Sequence, residues 1–455
     1  MNVNDTICAL ATAPGGALGI IRVSGPDAIP IVSSLCSVSC AKCAANTVHF
    51  TYIYTSPPLE GHREILDEVL VTIFRAPHSY TGEDSVEISC HGSRYIIQRV
   101  LDLLVEQGCR MACPGEFTMR AYLNGKMDLS QAEAVADLIA STNKATHDIA
   151  LSQLRGHFSS ELKTLRDQLL KLTSLLELEL DFSDHEDLEF ADRTELSALA
   201  NKIDYHITRL AKTFETGQAL KQGIPVAIVG KTNVGKSTLL NRLLKDDRAI
   251  VSDIHGTTRD TIEDIIDIQG VTFRFIDTAG IRQTTDAIER IGIERTYATI
   301  DKARIVLWLF DEAPTPADLQ DMQARCEGKS LLHIWNKTDI IPHCPLCCDI
   351  ATPIFISAKT GQGLDTLETA IYEAANIPSL QNTDVIVSNA RHYDALIRAH
   401  ESLQRVLDGM HLQLSGDLLS EDLRQTLAIL SEITGGQITP NEVLGNIFSH
   451  FCVGK

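Results

Sequence analysis

The fold of one domain is decided by Val226-Ala227-Ile228-Val229-Gly230-Lys231-Thr232-Asn233-Val234-Gly235-Lys236-Ser237, an apolar run that ends in the pattern G-x-x-x-x-G-K-[ST]. A helical segment from Thr238 follows, so the pattern stands between a predicted strand and a predicted helix. Its glycines let backbone N–H groups close around phosphates, and the helix N-terminus adds partial positive charge. Lys236 would reach the β- and γ-phosphates, and Ser237 would coordinate Mg²⁺. The stretch therefore predicts a nucleoside triphosphate site.

Outward from this stretch, residues 216–378 alternate apolar runs with helical patterns. Five runs are predicted to be buried strands of a mostly parallel sheet: Pro225–Val229, Phe273–Ile276, Ile305–Phe310, Leu331–Trp335 and Ile354–Ile356. Helical patterns occupy residues 119–215 and return over residues 379–455. The predicted organisation is an α/β domain inserted into a helical one, because insertions are tolerated where the chain leaves and re-enters at neighbouring surface points.

Three further motifs follow strands of this domain in chain order: Asp277-Thr278-Ala279-Gly280, Asn336-Lys337-Thr338-Asp339 and Ser357-Ala358-Lys359. The Asp277 carboxylate is expected to hold the Mg²⁺ shell, and Gly280 to approach the γ-phosphate. A carboxylate at Asp339 accepts both the N1–H and the exocyclic amine of guanine. Adenine offers neither donor and would leave a buried Asp339 unpaired. The Ser357 segment would support the base, and together these motifs predict a GTPase.

Two details bear on the mechanism of hydrolysis. Ile281 follows Gly280 where many small GTPases place the glutamine that orients the attacking water, and an isoleucine cannot do this. Glu289 and Asp286 are the carboxylates available in the next segment. Inside the P-loop, the Asn233 side chain either caps the loop or helps to hold a monovalent cation beside the phosphates. The residues alone favour neither role for Asn233.

Composition limits the class of protein. The chain has 455 residues, with 40 Lys+Arg against 60 Asp+Glu and a net charge of −20. That length suggests about three domains, and the charge argues against holding nucleic acid by bulk electrostatics. No run approaches the roughly 18 apolar residues of a membrane span, and no basic, apolar leader opens the chain. Twelve cysteines without such a leader predict free thiols in the reducing cytoplasm.

The other regions give patterns of their own. Residues 1–118 are predicted to be an α+β domain with short strands at Gly19–Val23, Val69–Phe74 and Ser85–Ser89. In residues 119–215, steps of three and four predict a buried helix face made of Leu162, Leu165, Leu169, Leu172 and Leu176. A second helical face after residue 385 carries Leu396, Leu403 and Leu407. The acidic run Asp181–Glu189 is predicted to be a solvated loop.

Two cysteine clusters have spacing like that of zinc ligands: Cys36, Cys40 and Cys43, and Cys344, Cys347 and Cys348. His49 and His343 lie near them in sequence. Neither cluster pairs with a second well-spaced Cys/His pair, however. Unpaired thiols in loops are favoured over zinc sites, and zinc stays an open alternative.

Four strings outside the P-loop carry a resemblance: Gly115-Glu116-Phe117-Thr118 with 120–126, Asp128-Leu129 with 131–135, Gly256-Thr257-Thr258-Arg259-Asp260, and the terminal Phe451-Cys452-Val453-Gly454-Lys455. They resemble the MnmE family of tRNA modification GTPases, over the whole chain. The resemblance implies a folate-binding-like α+β domain over residues 1–118, through which the chain dimerises. It also implies a helical-bundle domain split into residues 119–215 and 379–455, with a Ras-like P-loop G domain inserted at 216–378. Val453 replaces the more frequent isoleucine conservatively.

The resemblance implies a folate site and a terminal cysteine. A reduced folate, 5-formyl- or methylene-tetrahydrofolate, would be bound by Arg22, Glu87, Lys126 and Lys455. Charge-assisted contacts suit its carboxylates, and Glu87 can accept from pterin N–H groups. From its strand alone, Arg22 is interpreted as an edge-strand charge. Cys452 is either a thiolate nucleophile or a terminal thiol near a pocket, since no base stands beside it in sequence.

The resemblance also implies roles for individual residues of the G domain. Glu289 would orient the attacking water, and Lys236 would act on the phosphates. Mg²⁺ would be held by Ser237 and Thr258. K⁺ would be held by Asn233, Ser252, Ile254 and Thr257. The implied GTP-binding set is Asn233, Val234, Gly235, Lys236, Ser237, Thr238, Ser252, Asp253, Ile254, His255, Gly256, Thr257, Thr258, Asp277, Thr278, Ala279, Gly280, Asn336, Lys337, Thr338, Asp339, Ser357, Ala358 and Lys359.

Finally, the resemblance implies an activity for the chain. Such proteins act as homodimers with an FAD- and NADH-using partner, MnmG, in a heterotetramer. Together they add an aminomethyl-type (carboxymethylaminomethyl) group at C5 of the wobble uridine of certain tRNAs, while K⁺-stimulated GTP hydrolysis drives conformational change. The alternative is a GTP-regulated switch in RNA or ribosome assembly without tRNA chemistry. The terminal Cys452-Val453-Gly454-Lys455 and the folate-binding-like domain favour the modification enzyme.

Overall fold

The structure is a computed structural model of the chain. It describes residues 5–55, 64–181, 193–246, 263–276, 297–340, 353–377 and 385–436, together with residues 444, 447–449, 451 and 454. The chain divides into two compact units, residues 1–140, 153–206 and 395–455, and residues 141–152 and 207–394. The predicted boundaries at 118, 215 and 378 stay predictions.

The first unit contains a mixed sheet in its N-terminal part. Among the described residues its strand order is β3-β4-β5-β2-β1-β6, and all neighbours are antiparallel except β1 and β6. The strands are β1 (Ile7–Leu10), β2 (Leu18–Ser24), β3 (Thr47–Tyr54), β4 (Ile65–Phe74), β5 (Ser85–His91) and β6 (Arg110–Met111). The three predicted strands lie within β2, β4 and β5, so those predictions are confirmed.

One face of this sheet is covered, and the other face is open over β3 and β4. Along β4, Val69, Val71 and Ile73 are buried, while Glu68 and Leu70, which alternate with them, are exposed. This period of two is that of a strand with one face in the core. The core also takes side chains from the helices α1 (Ala28–Leu35) and α2 (Arg94–Glu106).

Helices make up the rest of the described first unit. They include α3 (Glu116–Leu123), α4 (Leu129–Ala140) and α6 (His157–Asp181), with α5 (Lys144–Leu154) and α7 (Arg193–Gln222) beside them in sequence. The five leucines of the stripe on α6 are all buried, which confirms the predicted helix face. The acidic run begins at the last residue of α6, and the part from 182 to 189 lies outside the described residues.

The second unit contains a largely parallel sheet. Its described order is β12-β11-β10-β7-β9-β8, and only the β8–β9 pair among these is antiparallel. The strands are β7 (Ile224–Val229), β8 (Asp264–Ile268), β9 (Val271–Phe275), β10 (Ile305–Phe310), β11 (Ser330–Trp335) and β12 (Ile354–Phe355). The positions of the five predicted strands are confirmed within one or two residues. The predicted burial is wrong for β12, where Ile354 is half-buried and Phe355 is exposed, because β12 is at the edge of the described sheet. β8 was not among the predicted strands.

The helices of the second unit follow the strands. They are α8 (Lys236–Asp246), α9 (Pro316–Arg325) and α10 (Leu364–Ala374), and the chain continues into α11 (Ala390–His411) and α12 (Gly416–Thr434). Every side chain of β10 is buried, as expected for a central parallel strand. The predicted face with Leu396, Leu403 and Leu407 is buried on α11. In the described part of the chain, none of the helices has the length and apolar character needed to cross a bilayer.

Candidate functional site

The P-loop lies between β7 and α8, as the sequence predicts. Its backbone takes positive φ angles at Gly230 (148°), Asn233 (62°) and Gly235 (102°). A Cβ atom at Gly230 would lie 2.3 Å from the Leu309 carbonyl oxygen, and one at Gly235 would lie 2.4 Å from Asn336 Nδ2. Both positions therefore require glycine, because a side chain would meet neighbouring atoms as well as backbone strain.

Lys236 lies across the loop that precedes it. Its ammonium group donates to the carbonyl oxygens of Gly230 and Lys231, each at 2.7 Å. Burial lowers the pKa of Lys236, because a charged ammonium loses water there. An anionic phosphate beside it would favour the charged form. Ser237 and Thr238 occupy the first turn of α8, where the helix N-terminus points at the same loop.

Asn336 joins three loops of the predicted nucleotide site. Its buried side chain donates from Nδ2 to the Val234 carbonyl at 2.8 Å and accepts from the Ala358 N–H at 3.0 Å. Its own N–H donates to Phe310 of β10. The P-loop, the segment after β11 and the segment after β12 are thus fixed to one another by one amide side chain.

Asp339 is oriented by Ser357. The buried Ser357 hydroxyl donates to Asp339 Oδ1 at 2.7 Å and accepts from the Thr360 N–H at 3.2 Å. Lys337, at a φ of 63°, forms an ion pair with Asp311 at 2.6 Å. The structure corrects one expectation, because Asp339 itself is exposed rather than buried. It lies in a turn beyond the end of β11, so the protein alone does not enclose its carboxylate.

Several predicted residues of this site lie outside the described residues. They are Ser252, Asp253, Ile254, His255, Gly256, Thr257, Thr258, Asp277, Thr278, Ala279, Gly280 and Glu289. The described members, Asn233–Thr238, Asn336–Asp339 and Ser357–Lys359, come together around the carboxyl ends of β7, β11 and β12. Both interpretations of Asn233 stay open.

A second cluster lies on the face of the N-terminal sheet opposite α1 and α2, next to the buried Phe117. Arg22 of β2 stands directly opposite Glu87 of β5, and its Nε and Nη2 donate to Glu87 Oε1 at 2.9 and 2.8 Å. Its Nη1 donates to the Gly454 carbonyl at 3.3 Å. The Arg22 guanidinium carbon lies 5.2 Å from the Tyr80 ring centroid and 5.7 Å from that of Phe117. Arg22 is therefore held within a cluster. The interpretation of Arg22 as an edge-strand charge is wrong, because β2 lies between β5 and β1 in the described sheet.

The end of the chain reaches this cluster. Gly454 has a φ of 93°, and a Cβ there would lie 2.3 Å from the Leu10 carbonyl oxygen. Lys126 donates from Nζ to the Pro77 carbonyl at 2.8 Å, in the same loop as Tyr80. Cys452 and Lys455 lie outside the described residues. The sequence gave no signal for Tyr80, and it gave Phe117 only within the string Gly115-Glu116-Phe117-Thr118, with nothing in the spacing to link either ring to Arg22.

The first cysteine cluster has no metal-site character among the described residues. Cys36 and Cys40 are buried, and Cys43 is half-buried. A hydrogen bond with Cys40, together with burial, raises the pKa of the Cys36 thiol. No group of three or more His, Cys, Asp or Glu side chains in the described ranges is placed to hold a metal ion. The second cluster, Cys344, Cys347 and Cys348, lies outside those ranges.

Comparison with known proteins gives consistent matches. The family model described as GTP-binding protein TrmE N-terminus matches residues 6–126, and that described as MnmE helical domain matches residues 129–452. The chain is 52% identical to the tRNA modification GTPase MnmE of Phocaeicola vulgatus and 53% identical to that of Bacteroides thetaiotaomicron. Each match covers 99% of this chain and 99% of the relative.

Solved structures give a weaker likeness. Era, in complex with MgGDPNP and a segment of 16S ribosomal RNA, is 29% identical over 39% of this chain and 66% of its own. The TM-score is 0.26, which is too low to support a structural conclusion.

Proposed function

Because this chain belongs to the MnmE family of tRNA modification GTPases, we propose that it hydrolyses GTP during modification of the wobble uridine of certain tRNAs. With an FAD-dependent partner, MnmG, it adds a carboxymethylaminomethyl-type group at C5 of that base. GTP hydrolysis drives conformational change in the assembly. The observation that carries the GTPase part is Asn336, whose side chain fixes the phosphate loop against the segments that recognise the base.

Cations complete the proposed GTP site. The Ser237 hydroxyl in the first turn of α8 suits Mg²⁺, an oxygen-seeking ion, with Thr258 as its second protein ligand. Asn233, with Ser252, Ile254 and Thr257, would hold K⁺ beside the phosphates, where it offsets negative charge that develops during hydrolysis. Replacing K⁺ with Na⁺ is therefore expected to slow turnover sharply, and equal rates in the two salts would contradict the K⁺ site.

Glu289 is proposed to orient the attacking water, in place of the glutamine that Ile281 excludes. The Glu289→Ala variant should lose hydrolysis while it keeps its affinity for GTP. Unchanged GTP turnover in that variant would contradict the proposed role of Glu289.

A reduced folate is proposed to bind at the cluster around Arg22. Glu87 can accept from pterin N–H groups, and Arg22, Lys126 and Lys455 offer charged donors to the ligand. The contact between Arg22 and Gly454 supports the proposal, since it brings the C-terminal segment to the same place.

A homodimer is proposed to form through the open face of the N-terminal sheet. Phe50 of β3 stands directly opposite Leu70 of β4, and both are exposed together with Val48, which is two residues before Phe50 on the same face of β3. A contiguous apolar patch of this kind marks an interaction surface. A second copy of the chain, carrying the same patch, would cover it by two-fold symmetry.

The experiment that tests the proposal is mass spectrometry of tRNA nucleosides from cells that lack this protein. Loss of the C5 modification at the wobble uridine, restored by the wild-type gene and not by a Glu289→Ala gene, is the expected result. Intact modification in the deletion strain would overturn the proposal in favour of an assembly switch.

A further inference from the structure

One face of α7 carries three cations and a tyrosine. Lys202, Tyr205, Arg209 and Lys212 are all exposed, and the exposed fraction of Tyr205 is 67%. Their spacing of three, four and three residues places them within about 80° of the helix circumference and along about 15 Å of its length. We call these four residues the basic stripe.

The opposite face of α7 is packed. Ile203, Ile207 and Leu210 are buried there. Phe214, on the same side of the helix, stacks on Tyr393 of α11 with the ring centroids 4.3 Å apart. Because this packing fixes the rotation of the helix about its axis, the basic stripe is held toward solvent.

The stability of the helix does not account for the three cations. None of them has a carboxylate partner among the described residues. Arg209 and Lys212 stand three residues apart, where like charges on a helix repel each other. Lys212 is ten residues before Gln222, the last residue of α7, so the helix dipole does not favour its charge. A contact outside the chain explains these cations better than the helix itself does.

The sign of the basic stripe is opposite to that of the whole chain. The chain has 60 acidic and 40 basic residues, yet residues 196–214 contain three cations, one histidine and a single acid, Asp204. Asp204 accepts hydrogen bonds from His400 at 2.6 Å and from Gln404 at 2.9 Å, both on α11. Its charge is therefore directed toward α11, and the basic stripe keeps a positive local potential.

We infer that the basic stripe contacts tRNA, with its cations on the phosphates and Tyr205 stacked on an unpaired base. The inference rests on the proposed function, which makes tRNA the substrate. A row of cations suits a row of phosphates, and an exposed aromatic ring suits the unstacked bases of RNA loops and ends. An anionic membrane fits less well, because it would bring the acidic remainder of the chain against an extended surface of like charge.

Fluorescence anisotropy of labelled tRNA with the full-length chain, measured over a salt series, tests this inference. The triple variant Lys202→Gln/Arg209→Gln/Lys212→Gln should bind tRNA about tenfold more weakly at low salt. The slope of log affinity against log salt should also become shallower by about 2–3, because each lost phosphate contact removes roughly 0.7–0.9 from it.

Two further sets of variants separate charge at this face from charge in general. The control Lys163→Gln/Arg166→Gln/Lys171→Gln removes the same residue types from exposed positions of α6, where the exposed Asp167 lies among them, and it should keep the wild-type slope. Tyr205→Ala should bind roughly fivefold to a hundredfold more weakly with an unchanged slope, since stacking involves no counterion. Tyr205→Phe, which keeps the ring, should bind like the wild type.

The outcomes separate this inference from the proposed function, which nucleoside mass spectrometry tests independently. If the triple variant binds tRNA like the wild type, or if the α6 control loses as much affinity, the inference alone is overturned. A wild-type chain that does not bind tRNA even at low salt overturns it as well. If the triple variant instead loses binding to phosphatidylserine vesicles and keeps its affinity for tRNA, the basic stripe serves a membrane and the inference is wrong.

Discussion

At the scale of single residues, Asp339 is the residue proposed to select the nucleotide base. The Ser357 hydroxyl orients its Oδ1, and the rest of the carboxylate is exposed toward the position that the motif assigns to guanine. Because the protein does not enclose Asp339, the base itself must exclude water from this pair. The penalty for a wrong base is therefore smaller than for a fully buried carboxylate.

Asp339→Asn is expected to weaken GTP binding by about a hundredfold, because the amide repels one of the two guanine donors and cannot accept from both. Xanthosine triphosphate, which carries a carbonyl in place of the exocyclic amine, should bind the variant better than GTP. Competition against a fluorescent nucleotide measures both affinities. Asp365→Asn, at an exposed aspartate in the first turn of α10, is the matched control. Equal GTP affinity in the variant and the wild type would contradict the role of Asp339.

A partly buried ion network near the N-terminus links separate segments of the first unit. Arg110 pairs with Asp5 at 2.7 Å and with Glu116 at 2.6 Å, and the buried Arg120 contacts both carboxylates. A hydrogen bond from Arg110 holds the pKa of Asp5 below its usual value. Burial alone would raise the pKa of Glu116, but bonds from Arg110 and from the Cys113 N–H outweigh it and lower that pKa.

These lowered pKa values determine how stability depends on pH. A carboxyl whose folded pKa is depressed adds stability above its unfolded pKa of about 4, and this stability is lost as pH falls through the folded value. Arg110→Gln should therefore cost about 1–2 kcal/mol at pH 7, since solvent screens part of the interaction of the 39% exposed Arg110, and progressively less in acid. Urea unfolding at several pH values measures the difference. Arg99→Gln, which breaks a surface pair with Glu106, should cost roughly 0–1 kcal/mol. If the loss of unfolding free energy caused by Arg110→Gln stays constant as pH falls into the acid range, Asp5 and Glu116 are not the source of the pH dependence.

At the scale of secondary-structure elements, the sequence predicted those with a strong pattern. Ile305–Phe310 is the observed extent of β10, since a continuous apolar run is what a central parallel strand needs. β8, Asp264–Ile268, was not predicted because it is a short antiparallel strand at the edge of the described sheet, and Asp264 and Asp267 break its apolar pattern. The sequence has no long apolar run that would predict such a strand, and the pairing of β8 with β9 is seen only in the structure.

In the candidate sites, too, only residues close together in sequence could be predicted to act together. The P-loop was predictable because its glycines, lysine and serine lie in one short stretch. The bond from Asn336 to Val234 joins residues 102 positions apart, and the contact of Arg22 with Gly454 joins residues 432 apart. Local spacing carries no information about such pairs. Family resemblance pointed to Arg22 and Glu87, and the register between β2 and β5 supplies the physical reason that they meet.

The C-terminal segment offers a test at this scale. Gly454→Ala would place a methyl group against the Leu10 carbonyl and displace the contact with Arg22. Folate binding, followed by calorimetry, should weaken about tenfold, which corresponds to the loss of one charge-assisted hydrogen bond. Gly108→Ala is a matched control, since Gly108 has a similar φ of 105° but no atom within 4 Å of the added Cβ. Equal losses in both variants would show that backbone strain, and not the tail contact, is responsible.

At the scale of the whole molecule, the net charge of −20 shapes how tRNA would be held. Affinity for nucleic acid comes largely from lysines and arginines that displace counterions from phosphates. A chain with 60 acidic and 40 basic residues repels phosphates on average, apart from local basic positions. The proposed tRNA chemistry is therefore compatible with this charge only if a partner supplies much of the contact with the phosphate backbone.

The chain alone should bind tRNA weakly, with a Kd in the range of roughly 10⁻⁴ to 10⁻⁶ M that is typical of non-specific electrostatic contact. In the presence of the FAD-dependent partner, binding should tighten, and log Kd should change more steeply with log salt because more phosphates are neutralised. Fluorescence anisotropy of labelled tRNA over a salt series measures both, with the partner alone as the control. Tight binding by the isolated chain, with a steep salt slope, would mean that local basic surfaces outweigh its overall charge. In that case the prediction that the partner supplies much of the contact with the tRNA phosphates would be wrong.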